Sequence, residues 1–263
     1  MKHFLQSQTF YIKNDSSMVI IKLILLISSV LLALWSVSGS NYTMKNLAEP
    51  IKLIVSMSMF LYFIIPLHTC FYACEGFEFG TIKNVIAAGI SRTNYYIGKL
   101  ITEVKVIFFS LLQFYLVFLI VFYTACFLKK TPIANIGLYN QLIRSLLAVI
   151  YNFIYLVAYS SIVLTLVMFI RKTAPSVVTT FCLVFGDFLI CGYLKDAVSP
   201  FLQTISNNCL MTQILKFNGL YVKNSQLILL NNVSDYLKTF AIPIAIIIIC
   251  LIIGLNSFNK QDI

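Results

Sequence analysis

The chain has 263 residues, of which 60% are hydrophobic, 14% aromatic and only 11% charged, with a formal net charge of +10. Soluble domains carry about 25% charged and roughly 45–50% apolar residues, so this composition, with a mean hydropathy of +0.91, excludes an ordinary soluble domain, a disordered chain, a coiled coil and a disulfide-stapled secreted module. The basic excess is what Lys and Arg at the ends of membrane spans supply when they meet anionic headgroups, so membrane lipids are expected partners and nucleic acid is not.

Residues 1–17 mix polar side chains with Phe4, Leu5, Phe10, Tyr11 and Ile12 and read as a short helix lying on the membrane interface. Met18–Val37 is the first apolar run, about 30 Å long as a helix and so able to cross the hydrocarbon core. Lys22, one turn inside it, can snorkel back to the headgroups. A cleavable signal peptide ending near Ser36-Val37-Ser38 is the rival reading, disfavoured by the length of the run. The second run is Ile51–Ala73, with Pro66 expected to kink it and His68 near its far end. A polar stretch, Cys74–Lys99, leads to the third run, Leu100–Leu128. Lys129–Gln141 holds Pro132, Asn135 and Gly137 and reads as a loop. Ile143–Ile170 is the fourth run, closed by Arg171-Lys172-Thr173, and Ala174–Leu194 is the fifth. Lys195–Leu237 has no long apolar stretch; its pieces Phe201–Ile205 and Leu210–Leu215 are too short to span and suit interfacial or re-entrant helices. Thr239–Phe258 is the sixth run.

These elements predict an all-α polytopic membrane protein: one transmembrane domain over residues 1–263, with spans at about 18–37, 51–73, 100–128, 143–170, 174–194 and 239–258. Six spans place both termini on one side. With the N-terminus inside, the basic residues divide ten to nine, and discounting Lys216 and Lys223 in the long loop leans the balance inward. The seven cysteines form no C-x-x-C pair and are read as small apolar fillers, neither a disulfide framework nor a metal site. The preference for Lys over Arg and the abundance of Ile, Asn, Phe and Tyr hint at an AT-rich bacterial genome.

The polar stretch after the second run carries the most information. Ile82, Val85 and Ile86 fall at i, i+3 and i+4, giving one short apolar face with Lys83 and Asn84 opposite. Gly89 stands where a glycine ends a helix, with Ile90 placed to pack back on Val85. Ser91 suits the N-cap of a second helix that runs into the third span. A short amphipathic helix, a sharp turn and re-entry are expected; an ordinary connector between spans is the plainer alternative.

The pattern Glu75-x-x-Glu78-x-Gly80-Thr81-Ile82-Lys83-Asn84, then Gly89-Ile90-Ser91-Arg92, then Tyr96-x-Gly98-Lys99, resembles the signature of type-2 ABC exporter permeases. The likeness is specific over roughly 25 residues and elsewhere extends only to the layout. It implies that the segment after the second span is a coupling helix docking on a separate ATPase subunit, with this loop and both termini in the cytoplasm of a bacterial cell. Lys83 and Arg92 would then pair with acids on the ATPase. Glu75 and Glu78 would tie the loop to its own spans or to the N-terminal helix, and Gly80 and Gly89 would set the turns. A second copy, or a paralogous permease, would complete the pathway. Small permeases of this layout often export antimicrobial peptides or give immunity to them, and others move drugs or lipids. A mechanotransmission permease would want a large ectodomain where only Ser38–Pro50 lies, and an import permease a differently spaced Glu-Ala-Ala…Gly loop.

No G-x-x-x-x-G-K-[ST] occurs, so the chain is not expected to bind or hydrolyse ATP; the nucleotide would sit on the partner, and no cofactor is expected here. Only two histidines are present, with no H-E-x-x-H. Asp187 is read as the one acid deep within a span, a residue either of the translocation path or of the structure, with Arg144 or Lys195 as partner. From other classes, an intramembrane enzyme acting on lipid or peptide, or a scaffold or sensor without transport, remains open.

Overall fold

A computed structural model describes residues 2–39, 42–133, 137–223, 225–230 and 232–260, of which residues 2, 259 and 260 are described by backbone alone. Asn135 of the predicted loop lies outside these residues. The first helix, α1 (Lys2–Asn14), buries Phe4 and Ile12 and exposes Phe10 and Tyr11, the one-sided pattern of an interfacial helix. Asp15 starts α2 (Ser16–Val37): its carboxylate accepts the Ser17 N–H at 3.0 Å, satisfying one of the open donors of a helix start.

The second crossing is made of α3 (Glu49–Met57), a single 3₁₀ turn (Ser58–Phe60) and α4 (Leu61–Glu78). The helix passes through Pro66, and the irregularity predicted there falls about two turns earlier. Its cause is local: the Ser58 hydroxyl donates to the Val55 carbonyl at 2.6 Å, which tightens the turn, and accepts from the Asn152 amide at 2.8 Å. After α5 (Thr81–Ala87), α6 (Arg92–Leu128) runs for 37 residues. It begins eight residues before the apolar run, because the Ser91 cap lets the helix start in the polar stretch. Lys99, expected in the connector, is therefore buried inside α6.

Helix α7 (Leu138–Ile170) is the centre of the bundle, packing on α3, α4, α6 and, later in the chain, α8 (Thr173–Leu194), α10 (Leu210–Phe217) and α11 (Val233–Lys260). It is the most enclosed of the long helices. Between α8 and α11 lie two short helices, α9 (Pro200–Asn208) and α10, as the sequence predicts, and a ribbon of two two-residue strands, β1 (Val222–Lys223) and β2 (Gln226–Leu227), which it does not. Proline at the first position of α9 suits a helix start. Among the described residues six helical segments, namely α2, α3 to α4, α6, α7, α8 and α11, are long and apolar enough to cross a bilayer. The fold is an all-α polytopic membrane protein. At one end of the bundle α1, α5 and the C-terminal part of α11 meet in a cluster containing Phe4, Ile82, Tyr95, Tyr96 and Phe258. The short helices α9 and α10 and the ribbon lie at the other end.

Candidate functional site

Two glycines frame α5. Gly80 (φ 63°) precedes it and Gly89 (φ 90°) follows, both in left-handed conformations that a side chain disfavours. The helix ends in a Schellman arrangement, with the Gly89 N–H donating to the Ile86 carbonyl at 2.9 Å and the Ile90 N–H to the Val85 carbonyl at 3.3 Å. Ser91 then caps α6, its hydroxyl accepting the Asn94 N–H at 3.2 Å. The apolar face turns inward: Ile82 is buried, and Val85, Ile86 and Ile90 pack beside it. Thr81, Lys83 and Asn84 are exposed. The amphipathic helix and sharp turn are thus both present, and α5 is bedded on one side and open on the other.

Three elements brace this hairpin. The Tyr11 hydroxyl of α1 donates to Glu75 Oε2 at 2.5 Å, and the Thr173 N–H at the start of α8 donates to Glu78 Oε1 at 3.1 Å. Both acids therefore tie the loop down, one to the N-terminal helix and one to a span. The Arg92 guanidinium donates to the Phe258 carbonyl of α11 at 3.4 Å, which places it against the bundle and leaves Lys83 as the outward cation of the pair. Close approach at two glycines completes the bracing. A Cβ at Gly98 would run into the Phe4 ring of α1, and one at Gly76 into the Tyr95 hydroxyl and Ile82.

Behind the hairpin, α4, α6 and α7 enclose a polar cluster. His68 Nδ1 lies 3.1 Å from Glu103 Oε1, and the Thr69 hydroxyl donates to the same oxygen at 2.8 Å. The Ser160 hydroxyl of α7 is 3.0 Å from that of Thr69. Lys99 donates to the Tyr72 carbonyl at 3.0 Å and sits 3.6 Å from the centre of the Tyr72 ring, a buried cation–π contact. Lys99, Glu103 and His68 are exposed by only 4%, 2% and 2%. Among the described residues His68 Nε2 and Glu103 Oε2 have no hydrogen-bond partner, and a cavity of about 10 Å³ beside Glu103, Ser160 and Ser161 offers close to the room one water needs. Asp187 is therefore not the one acid inside the bundle. Glu103 stands near the start of the third apolar run, where sequence alone does not separate a span from its polar flank. Its signal was periodic: Lys99, Glu103, Val106, Ser110 and Phe114 recur every three or four residues and form the buried face of α6.

Asp187 has partners other than those expected. Its Oδ2 accepts from the Tyr159 hydroxyl of α7 and from the Met211 N–H in the first turn of α10, the latter at 2.9 Å. A carboxylate there satisfies an open donor and meets the positive end of the helix dipole. Lys195 instead donates to the Val222 carbonyl at 3.1 Å and lies 4.0 Å from Asp196, and Arg144 lines a separate pocket. From α8, Asp187 thus joins α7 and the first turn of α10.

Fold and site together define a multi-span membrane protein with a braced, half-exposed hairpin at one end of its bundle. No family model and no curated protein sequence matches the chain.

Proposed function

We propose that the chain is the membrane-spanning subunit of an ATP-driven exporter and that α5 is the helix through which a separate ATPase subunit acts on it. The observation that carries this reading is the mounting of α5. It is stopped at both ends by left-handed glycines, bedded through Ile82 and open at Thr81, Lys83 and Asn84. Its flanks are fastened to α1, α8 and α11. A push on such a helix is passed to three elements at once, which a loose connector does not do. In this reading the hairpin and both termini face the cytoplasm of a bacterial cell, and ATP is bound and hydrolysed by the partner. This chain is then neither an enzyme nor the carrier of a cofactor. Two copies, or one copy and a paralogue, enclose a pathway that opens alternately to either side. Antimicrobial peptides and drugs are the substrate classes this layout suggests.

Co-purification of a tagged chain with its ATPase tests the assignment. Lys83→Glu reverses the outward charge without touching the buried face, and it is expected to lower both complex recovery and substrate-stimulated ATP hydrolysis. Unchanged values of both would sink the coupling role. The buried His68–Glu103 pair with its hydroxyl neighbours favours a second reading, an intramembrane enzyme acting on lipid or peptide. That reading expects Glu103→Gln to abolish activity while ATPase binding is irrelevant to it.

A further inference from the structure

At the end of the bundle opposite α5, a cavity of about 290 Å³ lies between α3, the first turns of α7 and the end of α10. Two cations line it, Lys52 and Arg144, and no acid does. Among the described residues neither has an ion-pair partner. The helix α7 starts there at Gly137 with no side-chain cap, which leaves its first N–H groups as open donors. A second and independent sign is Asn218, the C-cap of α10, which is 4% exposed and whose Oδ1 has no hydrogen-bond partner among the described residues. Part of the wall is apolar, from Val55, Phe217 and Leu229.

We infer that this cavity is a binding site for an anionic headgroup, a phosphate bearing a neighbouring hydroxyl, attached to or accompanied by apolar carbon. The phosphate sits between Lys52, Arg144 and the start of α7, where fixed donors and two positive charges meet it. The hydroxyl satisfies Asn218 Oδ1, a buried acceptor that otherwise carries the penalty of an unmade hydrogen bond. The apolar wall takes the first carbons of a chain. Such a group reaches the site either as a membrane lipid or as a free phosphate ester. The inference stands apart from the proposed function, since it needs neither the ATPase nor α5.

The test uses the full chain purified in detergent, with three probes: phosphatidylglycerol, phosphatidylcholine and soluble glycerol phosphate. Retained adducts are read by native mass spectrometry and confirmed by the shift in Tm. Phosphatidylglycerol is expected to bind more tightly than phosphatidylcholine, and a Lys52→Gln/Arg144→Gln double variant to lose about tenfold in affinity. Lys130→Gln, an exposed cation outside the cavity, is expected to lose nothing. Both replaced side chains are exposed, so the double variant should fold, and an unchanged Tm without ligand verifies it. Glycerol phosphate binding with the same dependence on Lys52 and Arg144 identifies a free ester as the source; phosphatidylglycerol binding alone identifies the lipid. The inference is overturned if neither anion binds, if both phospholipids bind equally and glycerol phosphate shows no dependence on Lys52 and Arg144, or if Lys130→Gln weakens binding as much as the double variant.

Discussion

Glu103 is the residue with most at stake in the interior. Its Oε1 serves both His68 and Thr69; removing the carboxylate strands His68 Nδ1, whereas the Thr69 hydroxyl keeps the Ile65 carbonyl at 3.1 Å and Ser160 at 3.0 Å. Buried unsatisfied groups cost about 1–3 kcal/mol each. Glu103→Ala is expected to lower stability by about 2 kcal/mol and Glu103→Gln by less than about 1 kcal/mol, since the amide oxygen still accepts. Unfolding in detergent would show the order, and equal losses would mean that the carboxylate is not the hub. Tyr11 gives a pH prediction. Burial, followed by its hydrogen bond to Glu75, pushes the phenol above its ordinary value. The unfolded phenol ionises near pH 10, roughly, while the folded one holds its proton to higher pH. The stabilisation is therefore complete below about pH 10 and is lost as pH rises through the folded value. Docking of α1 should loosen above about pH 10 in the parent chain, and Tyr11→Phe should abolish that alkaline step. Proteolysis of α1 as a function of pH would measure it, and an identical step in both proteins would exclude Tyr11 as its origin.

At the scale of elements, the hairpin shows what sequence can and cannot convey. The glycine stop, the Ser91 cap and the inward face of Ile82, Val85 and Ile86 were legible, because each depends on residues within one or two turns. The bracing was legible only in kind. That Glu75 and Glu78 hold the loop follows from their position, but their partners, Tyr11 and Thr173, are 64 and 95 residues away. The break in the second crossing was misplaced for the same reason: Pro66 is a local signal, whereas the amide that serves Ser58 belongs to α7. Two element-level tests follow. Gly98→Leu places side-chain atoms where the Phe4 ring lies, so α1 should detach and become sensitive to protease while the spans persist. Retained protection would contradict that packing. Asp187→Leu removes the acceptor of the Met211 N–H, so hydrogen exchange of that amide in the first turn of α10 should accelerate. Asp187→Asn, still an acceptor, should exchange at close to the parent rate. If both variants exchange alike, Asp187 does not hold α10.

For the whole molecule, six apolar runs were enough to give the architecture, since crossing a bilayer demands length and apolarity that composition alone reveals. They did not show that α7 is the hub, because a polar residue within a span reads alike whether it faces lipid or protein. Asn152, Tyr155, Tyr159 and Ser160 are what mark α7 as internal: their hydrogen bonds reach α4, α11, α8 and the Tyr115 hydroxyl of α6. In the proposed function the ATPase docks on α5, and a displacement there would pass through α4 and α6 to this centre. Photo-crosslinking tests it most directly. With a photoreactive residue at Lys83 on α5, and separately at Lys130 at the opposite end, the chain is illuminated in membranes containing its ATPase. A cross-link to the ATPase is expected from position 83 and none from position 130. No cross-link from position 83, or equal yields from both positions, would contradict it.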